Sequence, residues 1–87
     1  MTDPIRCWLV ERGYDDKGLL TLAYATPDGE RVYRRELAAA TAGRMGVTAA
    51  MDAEPDRLTS VEDESLRERY ATEADRMAAR HDPDETV

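Results

Sequence analysis

Three sets of side chains in this sequence have types that could do chemistry: a lone thiol with a lone imidazole, several groups of carboxylates, and a run of arginines around a tyrosine. A cysteine nucleophile needs a histidine within reach and something that depresses the thiol pKa. Cys7 stands beside Trp8 and Leu9 near one end of the chain and His81 near the other. Cys7 therefore reads as a buried, inert thiol, and His81 as a residue at a helix C-terminus, where an imidazolium suits the dipole. A structural zinc site needs several Cys or His at close spacing, and the chain has one of each. Asp15-Asp16, Glu62-Asp63-Glu64 and Asp82, Asp84, Glu85 offer oxygen ligands, but none has the alternating spacing of an EF-hand loop, so they read as solvated acidic surface. No glycine-rich phosphate loop, nucleophile elbow or dinucleotide fingerprint occurs. No catalytic residue, metal ligand or cofactor is nominated, and a non-catalytic reading stands ahead of an enzymatic one.

The third set is more promising. Arg31, Tyr33 and Arg35 alternate, so an extended backbone places them on one face, with Arg34 between them. Aromatics on a sheet can stack bases while arginines hold phosphates, which suits nucleic acid. The formal net charge of −7 opposes that, and in molar salt the counterion-release term behind such binding largely vanishes. Arginine and aromatic residues are equally the types enriched at protein–protein hot spots. Arg31, Tyr33 and Arg35 are thus the candidate interaction surface. A protein partner or self-association as a homodimer is the first expectation, and nucleic acid the alternative.

The elements that must position these residues begin with a segment from Ile5 to Leu37. Residues 5 to 12 read as a strand with Ile5, Cys7 and Leu9 on one face and Arg6, Trp8, Val10 and Arg12 on the other. Gly13 to Gly18 is a turn. Leu19 to Thr26 is a second strand, with Leu20, Leu22 and Tyr24 sharing a face. Thr26-Pro27-Asp28-Gly29 is the strongest local signal: proline presets the first central position of a type I turn, and glycine suits the left-handed residue after it. A three-residue loop would set Tyr24 beside Val32, whereas a two-residue turn on Asp28-Gly29 would set it beside Tyr33. The first closure suits Pro27 better. Glu30 to Leu37 is a third strand, so charged that it reads as an edge.

Ala38 to Met45 is expected to be a short helix ended by Gly43 or Gly46, and Val47 to Asp52 is a candidate fourth strand. Glu62 to Arg80 is a clear helix, capped by Ser60 or Asp63, with Thr59 and Glu62 at capping-box spacing. Leu66, Tyr70, Ala74, Met77 and His81 follow its period, acids open it, and Arg76, Arg80 and His81 close it. Asp82-Pro83 stops it. The expected fold is a single α+β domain over residues 1–82: an antiparallel three-stranded meander, with a fourth strand as an option, and the long C-terminal helix packed on one face. Residues 83–87 are expected to be a short acidic tail with nothing to order it.

Composition supplies the setting. At 87 residues the chain is near the lower limit for independent folding, and a single cysteine permits no intrachain disulfide. Met1-Thr2-Asp3-Pro4 lacks the features of a secretory signal, and no apolar run approaches a membrane span. A soluble cytoplasmic protein is expected. There are 19 acidic residues, 12 basic ones of which Lys17 alone is lysine, and no Asn, Gln or Phe. A GC-rich genome explains the scarcity of Lys, Asn and Phe, whereas the acid surplus suits a surface kept soluble in molar internal salt. The opening Cys7-Trp8-Leu9-Val10-Glu11-Arg12-Gly13-Tyr14-Asp15-Asp16, the Tyr24-Ala25-Thr26-Pro27-Asp28-Gly29-Glu30 hairpin and the closing Arg80-His81-Asp82-Pro83-Asp84 together resemble a family of short uncharacterised proteins from extreme halophiles. The resemblance spans nearly the whole chain and implies a halophilic origin, but attaches no activity, cofactor or binding residue.

Overall fold

A computed structural model describes residues 3–87. Strands β1 (Ile5–Tyr14), β2 (Leu19–Ala25) and β3 (Arg31–Ala38) form the meander; helix α1 (Ala39–Met45), strand β4 (Ala50–Ala53), strand β5 (Thr59–Ser60) and helix α2 (Glu64–Arg80) follow. The strands make one sheet in the order β4-β1-β2-β3-β5, each neighbour antiparallel. The fold is α+β, with the meander widened by one short strand on either side. β5 is the surprise: Thr59 is β-branched, but two residues are too short for an alternating pattern to mark a strand. The helix cap is Asp63, whose carboxylate accepts from the Leu66 amide at 3.1 Å; Thr59, in β5, takes no part in a capping box.

The β2–β3 hairpin closes differently from the three-residue loop expected of it. Tyr24 lies opposite Tyr33 and Ala25 opposite Val32. The Thr26 amide donates to the Arg31 carbonyl at 3.0 Å, so four residues, Pro27 to Glu30, make the loop. The type I turn survives within it, because the Gly29 amide donates to the Thr26 carbonyl at 2.8 Å and Gly29 takes φ 72°. The extra residue is held by side chains. Asp28 accepts from the Thr26 hydroxyl and from the Glu30 amide, and the Arg31 amide donates to the Thr26 hydroxyl oxygen. These bonds, that from Thr26 foremost, hold the Asp28 pKa below its ordinary value. A group with a depressed folded pKa contributes stability in full above its unfolded pKa, about 4, and loses it as pH falls through the folded value. Asp28→Asn is therefore expected to flatten the acid limb of stability below about pH 4, as read by urea unfolding at successive pH values.

A bulge in β1 makes the second departure. Leu9 pairs with Tyr24 but Glu11, not Val10, pairs with Ala23. One inserted residue exchanges the faces beyond it. Arg12 consequently joins Cys7 and Leu9 on one face, and Glu11 turns to the other, reversing the simple alternation.

Each face of the sheet has its own core. On the front, Cys7, Leu9, Leu20, Leu22 and Tyr24 pack with Ala42 of α1, Val47 and Ala53. On the back, α2 lays down the stripe its period predicts. Leu66 and Tyr70 meet Ala23, Ala25, Val32 and Val61, while Ala74 and Met77 meet Trp8, Ala49 and Ala50. The small side chains of β2 on this face let the helix approach closely, and the Tyr70 ring fills the space they leave. The hairpin tip is drawn in as well: a Cβ on Gly29 would lie 2.8 Å from the Ala71 amide nitrogen, besides overlapping the Arg67 carbonyl.

The expected free tail is in fact tied down. The Ala50 amide donates to Pro83, the Ala49 amide to Glu85, and the Val87 amide to Val47, at 2.8–3.0 Å. Thr86 forms a bridge with Thr48. Backbone bonds, with the Val87 side chain packed against both cores, order this segment, and its acidic composition concealed them. Among the described residues no helix is long and apolar enough to cross a membrane.

Candidate interaction surface

β3 owes its place to its composition. Its charged residues suit a strand with solvent on one side, and β5 covers its outer edge only at Arg31 and Val32. Alternation then fixes which backbone groups stay free. Arg31 gives its carbonyl and amide to Thr26 on the β2 side, while Glu30 turns its carbonyl outward to the Val61 amide at 2.8 Å. Odd-numbered residues of β3 therefore bond inward and even-numbered ones point outward. Val32 is paired with Thr59, so the N–H and C=O groups of Arg34 and Glu36 are the ones the open edge presents.

The side chains divide by the same parity. Arg31, Tyr33 and Arg35, the residues singled out in the sequence, do share a face, the front one. Tyr33 leans on the front core, Arg31 is half-buried, and Arg35 is exposed. The bulge adds Arg12, which pairs with Leu22, itself opposite Arg35, so two guanidiniums flank one leucine. Sequence reasoning put Arg12 on the wrong side, and nothing in the local pattern marks the bulge.

Two titratable side chains are buried beneath this face. Tyr24, 3% exposed, donates its hydroxyl to the Thr48 carbonyl at 2.9 Å; burial pushes its pKa up, and the bond to Thr48, then Arg35 and Arg12, pull against that rise. Burial also pushes the Cys7 thiol up, against the opposing pull of Arg31. A fully buried thiol with a raised pKa is a poor nucleophile. His81 is engaged with Glu85. A shallow cleft of about 300 Å³ opens between α1 and the far end of β1, lined by Arg12, exposed Tyr14, Leu20, Ala42, Val47 and Val87. Among the described residues no group of three or more His, Cys, Asp or Glu is placed to hold a metal ion.

On the back face, Arg34 belongs to a polar cluster the sequence did not disclose. Tyr70 donates its hydroxyl to Glu11 at 2.6 Å and accepts from Arg34 at 3.3 Å, and Arg69 stands 3.5 Å from the same Glu11 carboxylate. Burial, then the bond to Glu11, raise the Tyr70 pKa. Among the described residues each buried polar side-chain atom has a partner, and the cluster ties α2 to β1 and β3.

The fold and this surface define a small α+β domain: one antiparallel sheet, helix-backed, with an arginine-bordered edge strand open beyond its first residues. The chain belongs to a family of unknown function, DUF7967, which it matches over residues 1–87. No curated protein and no solved structure matches it.

Proposed function

We propose that this protein is a non-catalytic interaction module that receives a strand from a partner along the outer edge of β3. The observation that carries the reading is the unpaired backbone of Arg34 and Glu36. An open edge is a ready template for another chain, and main-chain bonds supply affinity while alternate side chains supply specificity. Tyr33 and Leu37 offer an apolar footing on the front face, and Arg31 and Arg35 frame it with positive charge in a chain of net charge −7. Glu36→Pro is the direct test. Its missing N–H faces outward, so the β2–β3 ladder keeps its bonds while the edge loses a donor. A partner captured from native extract by the unaltered protein and lost with Glu36→Pro supports the reading; equal capture by both overturns it.

Arg12, Arg31 and Arg35 sharing a face with Tyr33 favour a second reading, single-stranded nucleic acid. Retention of RNA or DNA by the unaltered protein, abolished when Arg31, Tyr33 and Arg35 are all replaced by Ala, would establish it. Retention that the triple variant leaves unchanged removes it.

The acid surplus supports a cytoplasm of high internal salt as the setting and a halophilic origin. Self-repulsion among exposed carboxylates grows as the Debye length lengthens from about 3 Å at molar salt to about 30 Å at centimolar. The melting temperature is expected to rise steadily with added KCl. An unaltered value on dialysis to low salt overturns this assignment.

A further inference from the structure

We infer that the strand completing the β3 edge comes from a second copy of this chain, paired antiparallel to β3 about a two-fold axis through Arg35. The inference rests on the reading of that edge as the interaction site, and goes on to name its occupant and register. The free window is Tyr33 to Leu37. It is bounded on one side by Val32, which β5 already pairs, and on the other by Ala38, where the chain turns into α1. A two-fold axis perpendicular to the sheet keeps each residue on its own face, so opposed residues must have the same parity and the axis must pass through a residue.

Three such axes fall near the centre of the window, and their consequences differ. An axis through Arg34 opposes that arginine to itself and calls on Val32, which is already occupied. An axis through Glu36 opposes that carboxylate to itself and calls on Ala38, the cap of α1. The axis through Arg35 uses the whole window and nothing outside it. Arg34 then faces Glu36 of the second copy, and Glu36 faces its Arg34, giving two opposite-charge pairs on the back face. Tyr33 faces Leu37 twice on the front, aromatic against aliphatic. Arg34 and Glu36 are also the residues whose backbone groups point outward, so the same register makes four main-chain hydrogen bonds. The one like-charge pair, Arg35 with itself, lies at the axis on exposed stems that reach water and is screened in salt.

The register can be read by cross-linking. Arg35 would stand opposite its own copy as a non-hydrogen-bonded pair, where side chains come closest and disulfide geometry is within reach. Cys7 is 0% exposed and the chain's only cysteine, so an engineered thiol reports alone. Under mild oxidation Arg35→Cys is expected to give a covalent dimer at least about tenfold faster than Glu36→Cys, whose thiols would lie diagonally apart. Sedimentation of the unaltered chain is expected to show a concentration-dependent dimer, weakened about tenfold or more by Glu36→Arg, which sets like charges opposite at both pairs. Glu36→Arg keeps the fold testable if Glu36→Pro disturbs it. Equal cross-linking at both positions overturns the register. A monomer at all concentrations overturns the second copy, yet leaves the edge itself standing if Glu36→Pro still abolishes capture of another protein.

Discussion

Gly29→Ala is expected to cost roughly 2–5 kcal/mol, a large loss for a single added methyl group. Two effects combine. At φ 72° an alanine pays the left-handed penalty of roughly 1–2 kcal/mol. Its Cβ would also overlap the Arg67 carbonyl and lie 2.8 Å from the Ala71 nitrogen, both backbone atoms of α2 that cannot step aside as a side-chain end would. Overpacking of this kind adds roughly 1–3 kcal/mol. At roughly 4–8 °C per kcal/mol for a domain of this size, thermal unfolding should fall by more than about 10 °C. Gly18 supplies the control, since it has φ 86° but nothing within 4 Å of an added Cβ. Gly18→Ala should show the conformational part alone. Equal losses at the two sites would mean that the hairpin tip does not rest on the helix.

Tyr70→Ala is the second large effect, at roughly 3–5 kcal/mol, because the side chain is fully buried between α2 and the back of the sheet. Tyr70→Phe separates ring from hydroxyl and should cost only about 1 kcal/mol. Glu11 retains Arg69 beside it, and both Glu11 and Arg34 reach solvent. The phenylalanine variant has a pH signature too. A tyrosine whose folded pKa is raised contributes stability in full below its unfolded pKa, about 10, and loses it as pH rises through the folded value. Tyr70→Phe should therefore lessen alkaline destabilisation above about pH 10, leaving the part owed to Tyr24, whose pKa is also raised. Chemical denaturation at neutral and alkaline pH reads both quantities.

These residues also show where sequence reasoning reaches. α2 was legible because Leu66, Tyr70, Ala74 and Met77 repeat at its period, and burial follows that repeat. The hairpin was legible as a turn but not as a register. Thr26 and Asp28 lengthen the loop through side-chain bonds whose geometry no propensity expresses, and the extra residue moves Tyr33 beside Tyr24. The bulge at Val10 answers to how β1 fits β2, a tertiary matter, and it alone decides that Arg12 joins Arg35. Of the surface, alternation placed Arg31, Tyr33 and Arg35 on one face correctly. The free backbone of Arg34 and Glu36 stayed hidden because side-chain pattern is silent on which amides a neighbouring strand has claimed.

The segment from Pro83 to Val87 gives the sheet a handedness of supply and demand. By bonding along Val47 to Ala50 it occupies the approach to β4 and leaves Met51–Ala53 as the remainder of that border. The Leu9 amide donates to the Ala49 carbonyl, so Met51 and Ala53 bond toward β1 and Asp52 alone turns its backbone outward there. Of the two borders, that of β3 is thus the more open. A sheet able to grow from both sides adds copies without end, as fibres do; with one border closed, the strand addition proposed at β3 would end at a single partner.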